Sequence, residues 1–185
     1  MEENYLTGRL LVATPSTGGD VFRRSVVLVL HHDEHGAQGV VLNRPLDAPV
    51  GAVLPPWQPH VSAPDRLFQG GPVELDSALG LVLVPGDGEP MGVRRLFRGV
   101  GLLDLDAPPV LVMPEVGALR IFAGYAGWSP GQLEAEIRAG GWYVLDAETA
   151  DTFTASPEDL WRQVLSRQPG PLSWVASFPD DPSMN

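Results

Sequence analysis

The sequence contains no cysteine and no lysine, and its apolar runs are short. The absence of cysteine excludes disulfides, thiolate nucleophiles and cysteine-ligated zinc sites. The longest apolar run, residues 26–30, is far shorter than the roughly 20 residues that a membrane-spanning helix needs. The N-terminal residues also lack the basic and apolar regions of a signal peptide. We therefore expect a soluble cytoplasmic protein that does not associate with membranes.

The balance of charge is strongly acidic. The chain has 12 basic side chains, all of them arginine, against 23 acidic ones, and its net charge is −11. Phosphate backbones repel such a chain unless its basic residues cluster. The clusters visible along the sequence are short, Arg23-Arg24 and Arg94-Arg95 with Arg98. No helix-turn-helix, zinc finger or basic region accompanies them, so we predict no direct binding of nucleic acid.

Glycine and proline divide the chain into many short segments. There are 21 glycines and 19 prolines, and the apolar runs between them predict more strands than helices. Strands are expected at residues 8–15, 25–33, 38–45, 66–69, 79–84, 99–103, 110–113, 119–125 and 142–145. A short helix is expected at residues 48–54. This pattern indicates a single α+β domain, residues 1–185, whose sheet is rich in antiparallel pairs.

Two further helices carry clear start signals. Residues 129–132 read Ser-Pro-Gly-Gln, which is the pattern of a capping box with proline in the first turn. We therefore expect the Ser129 side chain to cap a helix that ends before Gly140. The second helix is expected to begin after Ser156 for the same reason. Its buried face is predicted to consist of Leu160, Trp161, Val164 and Leu165.

The segment from His31 to His35, which reads His-His-Asp-Glu-His, has two interpretations. A metal site made of imidazoles and carboxylates needs ligands that converge from one side. On a strand, His31 and Asp33 share one face and His32 points to the other. We favour a polar strand end followed by a hairpin turn, and we predict no bound metal and no cofactor.

Two glycine-rich segments also have two interpretations each. Gly70 and Gly71 follow a strand, where adjacent glycines form either a tight turn or a cradle for an anion. Residues 124–134 lead into the first capped helix. They form either a corner in which Tyr125 and Trp128 pack or an anion-binding helix start. We favour the structural interpretation of both segments. Gly70 and Gly71 lack the lysine and the spacing of a P-loop, and acidic residues near the start of the helix after residues 124–131 repel anions.

Six segments, spread over nearly the whole chain, form a highly specific set. They are residues 6–15, Phe22-x-Arg24-Ser25-Val26 with His32, residues 36–45, residues 70–73, residues 124–136 and residues 181–185. This set resembles the AlgH/YqgE family of bacterial proteins of unknown function. The sequence departs from the family pattern at Gly19-Asp20, His31 and Met184.

The resemblance implies an α+β fold with a bent, barrel-like sheet and a few helices packed on it. Some family members are labelled transcriptional regulators of exopolysaccharide synthesis, but the family has no agreed catalytic residues. We hypothesise a non-enzymatic protein that acts through a protein partner or a small ligand, with any effect on transcription indirect. One alternative is a hydrolase or transferase with a cleft near residues 43–45 and 124–132. Another is a direct transcriptional regulator.

The residues expected to line any ligand site are Asn43, Arg44, Tyr125, Trp128 and Gln132. We expect Arg44 to clamp an anion, Asn43 to form hydrogen bonds and the aromatic rings to provide a stacking surface. The structural alternative places Asn43 in a turn, Arg44 in a surface ion pair and the rings in the core. An enzyme needs polar groups that converge in a cavity, whereas an adaptor needs an exposed apolar patch. The oligomeric state does not follow from the sequence.

Overall fold

Ten strands of the described residues form one continuous, strongly curled sheet. The computed structural model describes residues 5–19 and 22–179, so the motif at residues 181–185 lies outside the described residues. The strands are β1 (Arg9–Ala13), β2 (Val26–Asp33), β3 (Gly36–Val41), β4 (Pro45–Pro49), β5 (Arg66–Gln69), β6 (Val73–Leu83), β7 (Val93–Phe97), β8 (Val100–Leu103), β9 (Ala118–Trp128) and β10 (Trp142–Asp146). Their order is β10-β1-β2-β3-β9-β6-β8-β7, with β4 paired to β5 and β5 parallel to β9. The predicted α+β fold with an antiparallel-rich, barrel-like sheet is confirmed.

The helices are short and lie around the sheet. The α-helices of the described residues are α1 (Pro109–Val112), α2 (Gln132–Arg138) and α3 (Leu160–Ser166). Their 3-10 helices lie at Val50–Ala52, Pro55–His60, Met113–Glu115, Thr149–Phe153, Pro157–Asp159 and Gly170–Ser177. Within the same part of the chain, no helix has the length and hydropathy of a membrane span.

Two predicted elements are wrong, and proline explains both. Residues 48–54, predicted as a helix, contain the end of β4 and a 3-10 turn of three residues. Pro55 disfavours a helical backbone at the preceding residue, and Leu54 is at φ −135° and ψ 69°. Residues 110–113, predicted as a strand, lie in α1 and the 3-10 turn that follows it. Pro109 begins α1 because its fixed φ suits the first helical position.

Strand β2 is buried on both faces, as its unbroken apolar run predicts. Val26 and Leu28 face one apolar cluster, and Val27 and Val29 face another, because side chains alternate along a strand. Helix α3 covers the first cluster with the four apolar residues predicted for its buried face. Full burial of each such side chain contributes about 1.5–3 kcal/mol relative to exposure. This packing fixes α3 against the β1–β2 region of the sheet.

The sheet curls until its two ends meet through side chains. Phe97 of β7 packs on Gly8, where an added Cβ would lie 3.3 Å from the ring. Arg98 donates a hydrogen bond from Nη1 to the Ala147 carbonyl at 3.1 Å, just beyond β10. Thr149 donates in return from Oγ1 to the Arg98 carbonyl at 2.7 Å. These contacts give the half-barrel its closure without a strand ladder between β7 and β10.

One arginine is buried in the sheet and ties loops together. Arg120 of β9 is 1% exposed and donates to the carbonyl oxygens of Thr154 and Ala63, both at 2.7 Å. Its guanidinium carbon lies 4.3 Å from the centre of the Phe68 ring. Burial lowers the pKa of Arg120 to about 10. The carbonyl acceptors and the ring compensate for the water that this cation loses.

Candidate functional site

A cavity of about 480 Å³ collects four of the chain's 12 arginines. It opens between the loop before β2, the end of β3 and the start of α3. The described residues that line it are Gly19, Arg23, Arg24, Asn43, Arg44, Pro157, Glu158, Trp161 and Arg162. We call it the arginine pocket. The chain has a net charge of −11, so these grouped arginines are a local exception to its acidic surface.

Asn43 organises the loop that carries two of these arginines. Its Oδ1 accepts a hydrogen bond from the Val26 N–H at 3.0 Å, and its Nδ2 donates to the Arg24 carbonyl at 2.9 Å. Arg24 has a positive φ of 53°, a backbone conformation that L-residues rarely adopt. Asn43 is 6% exposed. The amide of Asn43 therefore acts on the backbone and positions Arg24.

Arg44 is anchored by carbonyl groups on the wall of the pocket. Its Nη1 donates to the Asn43 carbonyl at 3.2 Å, and its Nη2 donates to the Arg23 carbonyl. Burial lowers the pKa of Arg44, since removal from water disfavours the charged form. A guanidinium has five N–H donors; these bonds use two of them and fix the direction of the Arg44 side chain.

Trp161 forms the floor beneath two guanidiniums. Its Nε1 donates to the Ala13 carbonyl at 2.9 Å, which fixes the ring against β1. The guanidinium carbons of Arg24 and Arg162 lie 4.4 Å and 5.9 Å from the ring centre. Both distances are within the range of cation–π attraction. Trp161 is 2% exposed, so the ring orients the arginines and is not available for stacking on a ligand.

The same two arginines hold the end of the C-terminal 3-10 helix. Arg24 donates from Nη2 to the Phe178 carbonyl at 2.8 Å. Arg162 donates from Nη1 to the carbonyls of Ala176 and Phe178. The positions of both guanidiniums are therefore set by contacts within the fold.

The other predicted site residues lie elsewhere. Tyr125 and Trp128 line a second cavity of about 530 Å³, between the β2–β3 hairpin and the end of β9. We call it the hairpin cavity. His31 and Asp33 also line it, with 2.7 Å between Nε2 and Oδ2. Gln132 lines neither cavity. The structure thus separates Asn43 and Arg44 from the aromatic residues of the predicted set.

Glu136 explains much of the glycine-rich segment. Its Oε1 accepts hydrogen bonds from the indole N–H groups of Trp128 and Trp142, both at 3.0 Å. Its Oε2 accepts from Gln132 Nε2 at 2.9 Å. Trp128 is only 7% exposed. The cluster joins α2 to β9 and β10, as the structural interpretation of this segment expects.

The capping prediction is half right. Gln132 Oε1 accepts from the Ser129 N–H at 3.0 Å, which is one bond of a capping box. The helix, however, begins at Gln132 with Gly131 as its N-cap, and no side chain caps it. Gly131 has a φ of 78°, a conformation that glycine adopts without strain. The predicted role of the Ser129 hydroxyl is therefore wrong.

His32 of the family-like motif connects two segments. Its Nδ1 accepts from the Leu6 N–H at 3.0 Å, and its Nε2 lies 3.0 Å from Glu134 Oε1. An Nδ1 that accepts a hydrogen bond carries no proton, so Nε2 carries it and donates to the carboxylate. In the part of the chain that the structure describes, no group of three or more histidine or acidic side chains is placed to hold a metal.

The paired glycines mark a close approach of two backbones. A Cβ on Gly70 would lie 2.4 Å from the Gly124 carbonyl oxygen, and one on Gly71 would lie 2.2 Å from that of Tyr125. Gly70 already donates its N–H to the Ala123 carbonyl at 2.9 Å. Gly124 has a φ of 72°. These glycines allow the segment after β5 to pack on β9, and the N–H of Gly70 is not available to an anion.

Comparison with known proteins agrees with these motifs. A family model described as AlgH-like matches residues 10–173. The chain belongs to the AlgH-like family. A UPF0301 protein of Streptomyces coelicolor is 57% identical over 188 residues, which span 100% of this chain and 97% of that protein. A UPF0301 protein of Thermobifida fusca is 49% identical over 195 residues, which span 100% and 98%.

Two solved structures share the fold of this AlgH-like chain. The crystal structure of a Corynebacterium diphtheriae protein has a TM-score of 0.88 at 36% identity and covers 96% of this chain and 95% of its own. The solution structure of AlgH from Pseudomonas aeruginosa has a TM-score of 0.68 at 27% identity and covers 96% of each chain. The resemblance inferred from the motifs is confirmed. These names assign a family and a fold but no reaction.

Sequence reasoning missed most of the arginine pocket in this AlgH-like chain. Arg23 and Arg24 are visible as a basic pair, but their partner Arg162 lies in a distant part of the sequence. Trp161 is predicted as a buried residue of α3, and its burial is confirmed. Its contact with Arg24 has no signal along the chain, because it depends on how α3 packs on the sheet.

Proposed function

We propose that this AlgH-like chain is a non-enzymatic binding protein that takes a small anionic ligand in the arginine pocket. The observation that supports this is the convergence of Arg23, Arg24, Arg44 and Arg162 from three separate segments on one cavity. Two unit charges 4 Å apart attract each other by about 4 kcal/mol at an effective dielectric constant of about 20, before desolvation is subtracted.

The composition of the pocket supports binding rather than catalysis. Its described lining contains one carboxylate, Glu158, and no histidine, serine or tyrosine. Arginine stays protonated at neutral pH and does not serve as a general base. Proton transfer, which most hydrolases and transferases need, therefore has few candidate groups here. Any effect of such a protein on transcription is then indirect and follows from ligand binding.

A small molecule fits the shape of the site better than a protein surface does. The pocket is concave, and its volume of about 480 Å³ lies in the range of small-molecule sites. Its arginines are held by backbone carbonyls and by the Trp161 ring, so the site is largely formed in advance. A preformed cavity with fixed donors is the usual form of a ligand site.

Calorimetric titration with inorganic sulfate, inorganic phosphate and citrate tests the proposal. The ionic strength is kept constant, because salt screens charge. Arg44→Gln is compared with Arg94→Gln, which removes the same charge from an exposed position outside the pocket. We expect Arg44→Gln to weaken binding of the best anion by about tenfold or more, through loss of a charge-assisted hydrogen bond. Arg94→Gln should leave the affinity unchanged.

Two outcomes would contradict the proposal. Either no anion binds the wild-type protein, or both arginine variants weaken binding equally, which indicates a diffuse effect of net charge. Thermal unfolding of each variant without ligand shows whether Arg44→Gln retains the fold. Glu158→Gln supplies a test of opposite sign, since loss of the one carboxylate in the described lining should strengthen anion binding.

A further inference from the structure

We propose that the C-terminal segment of this chain competes with the anion for the arginine pocket, so that anion binding and attachment of the segment oppose each other. This rests on the proposed function and adds the regulation of the same site. The segment consists of Phe178 and Pro179, at the end of the described residues, and we call it the C-terminal strap. It acts as an internal competitor because it already occupies donors that an anion would use.

The strap engages two of the four arginines in the pocket lining. Arg24 donates from Nη2 to the Phe178 carbonyl at 2.8 Å and to the Pro179 carbonyl. Arg162 donates from Nη1 to the same Phe178 carbonyl at 3.3 Å and to the Ala176 carbonyl just before the strap. Neither arginine is free of partners. An anion that bonds to these guanidiniums must therefore replace contacts that the chain makes itself.

The exchange of acceptors leaves the two arginines in place. Their guanidinium carbons lie 4.4 Å and 5.9 Å from the centre of the Trp161 ring, and this contact does not involve the strap. A carbonyl oxygen is a neutral acceptor, whereas an anionic oxygen adds direct attraction between opposite charges. Water pairs with the carbonyls that are released. The anion is therefore the stronger acceptor, and the strap is the one that leaves.

The strap is held mainly by these hydrogen bonds. The 3-10 helix before it, Gly170–Ser177, packs on α3 through Ala176, which is buried, and through Leu172 and Val175. Phe178, in contrast, is 40% exposed, and its N–H donates to the Val175 carbonyl at 3.0 Å. Segments with few buried apolar contacts open at low cost in free energy. The strap can therefore detach while the 3-10 helix stays packed.

The sequence adds negative charge directly after the strap. Asp180 and Asp181 follow Pro179 and lie outside the described residues. Each residue extends the reach of a chain by at most about 3.6 Å, so the covalent link keeps two carboxylates near the arginines that bind the strap. A tethered competitor acts at a high effective concentration. The competition therefore involves charge as well as the strap carbonyls.

NMR relaxation on the full chain tests the competition without any substitution. The order parameter of the Phe178 N–H is measured without anion and with a saturating concentration of the tightest binder among sulfate, phosphate and citrate. We expect it to fall from about 0.85, which is typical of a rigid backbone, to below about 0.6. The Leu172 N–H is the control, because it belongs to the packed part of the 3-10 helix, and its order parameter should not change.

Anion affinity provides the reciprocal measurement, because coupling between two binding events is mutual. Asp180→Asn combined with Asp181→Asn weakens the competitor, so it should raise the affinity for the same anion by about fivefold or more, a typical coupling factor. Asp87→Asn combined with Glu89→Gln is the matched control. It removes the same charge from exposed positions outside the pocket lining and should leave the affinity nearly unchanged.

The outcomes distinguish this inference from the proposed function. Anion binding that depends on Arg44 while the Phe178 N–H stays rigid overturns the competition and leaves the proposed function in place. Equal gains in affinity from the two pairs of substitutions indicate a diffuse effect of net charge and also overturn the competition. The absence of binding by every anion, both to the wild-type protein and to the variant with Asp180→Asn and Asp181→Asn, overturns both proposals. Unfolding curves of the unliganded variants establish that each comparison is made between folded proteins.

Discussion

The guanidinium carbon of Arg24 lies 4.4 Å from the centre of the Trp161 ring, although the two residues come from opposite ends of the chain. Trp161 is fixed to β1 by its bond to the Ala13 carbonyl, and Arg24 is fixed to the end of β3 by Asn43. The contact therefore forms only when α3 has packed on the sheet. The arginine pocket is a product of the complete fold, and no single segment contains it.

Replacing Asn43 with alanine should weaken both the fold and the site. The variant leaves the Val26 N–H and the Arg24 carbonyl without their partner, and a buried unsatisfied group costs about 1–3 kcal/mol. We expect a loss of that size in the free energy of unfolding, measured by urea denaturation. Gln38→Ala is the control, because Gln38 is an exposed carboxamide on β3. An unchanged midpoint for Asn43→Ala would show that Asn43 does not hold the loop.

Anion affinity provides a second measurement on the same variant. Under conditions where the protein is fully folded, Asn43→Ala should bind the best of the titrated anions more weakly, because the backbone of Arg24 at φ 53° loses the bond that stabilises it. If the only role of Asn43 were to contact the ligand, Asn43→Ala would lower the affinity without changing the free energy of unfolding. The two measurements together therefore separate a positioning role from a contact role.

Local pattern was sufficient for the elements whose apolar runs are bounded by turn residues. Strand β5 is predicted with its observed bounds, Arg66–Gln69, and β2 is predicted with burial on both faces. Prediction failed for α1, because an apolar run of four residues suits either a strand or a helix. It also missed β7, whose Arg94 and Arg95 give it little apolar character. Residues 93–97 form a strand because they pair with β8.

Glu136→Ala should destabilise the protein much more than Ser129→Ala. The Glu136 carboxylate accepts from Trp128, Trp142 and Gln132, and bonds to charged groups contribute about 1.5–3 kcal/mol each. We expect a loss of roughly 2–3 kcal/mol in the free energy of unfolding, since water can replace part of the bonding. Ser129→Ala should stay within about 0.5 kcal/mol. Chemical denaturation followed by tryptophan fluorescence gives both values. Similar losses of stability in the two variants would show that the Ser129 side chain does cap the helix.

The candidate site shows a different limit of sequence reasoning. Arg44 and Asn43 are visible in the Asn-Arg-Pro motif, and Arg44 does line a cavity. Tyr125 and Trp128 belong to an equally prominent motif, but the sheet places them in the hairpin cavity. A conspicuous motif in the sequence therefore does not show which other motif its residues will lie beside in the fold. The strand order decides which residues meet, because β2 and β3 are paired. The start of β2 and the end of β3 lie at the arginine pocket, and the hairpin between the two strands lies at the hairpin cavity.

The pKa of Asp33 should rise when His31 is replaced by glutamine. The hydrogen bond from His31, followed by the bond from the His35 N–H, holds the pKa of this carboxyl below its usual value. A lowered folded-state pKa gives stability that is present above the usual pKa and is lost as pH falls through the folded value. An NMR titration of the Asp33 carboxyl in both proteins measures the shift. Identical titration curves would show that the pair does not form in solution.

Duplex DNA should not bind specifically at physiological salt, even though the arginine pocket groups four cations. Each phosphate contact releases counterions, so binding falls steeply as salt rises and needs many contacts to persist. The net charge of −11 repels a polyanion at long range, whereas a small anion enters a local region of positive potential.

The second basic cluster offers little more to DNA. Arg95 is bonded to the Gly86 and Gly88 carbonyls, and Arg98 to the Ala147 carbonyl. Reading a base sequence also requires a helix or ribbon that projects into a groove, and α2 presents Glu134 in its first turn. We therefore expect fluorescence anisotropy at about 150 mM salt to show no difference between promoter and scrambled duplexes. Submicromolar binding that favours the promoter would contradict this prediction. If Arg44→Gln abolished that binding, the arginine pocket would contact the DNA backbone and the protein would be a direct regulator.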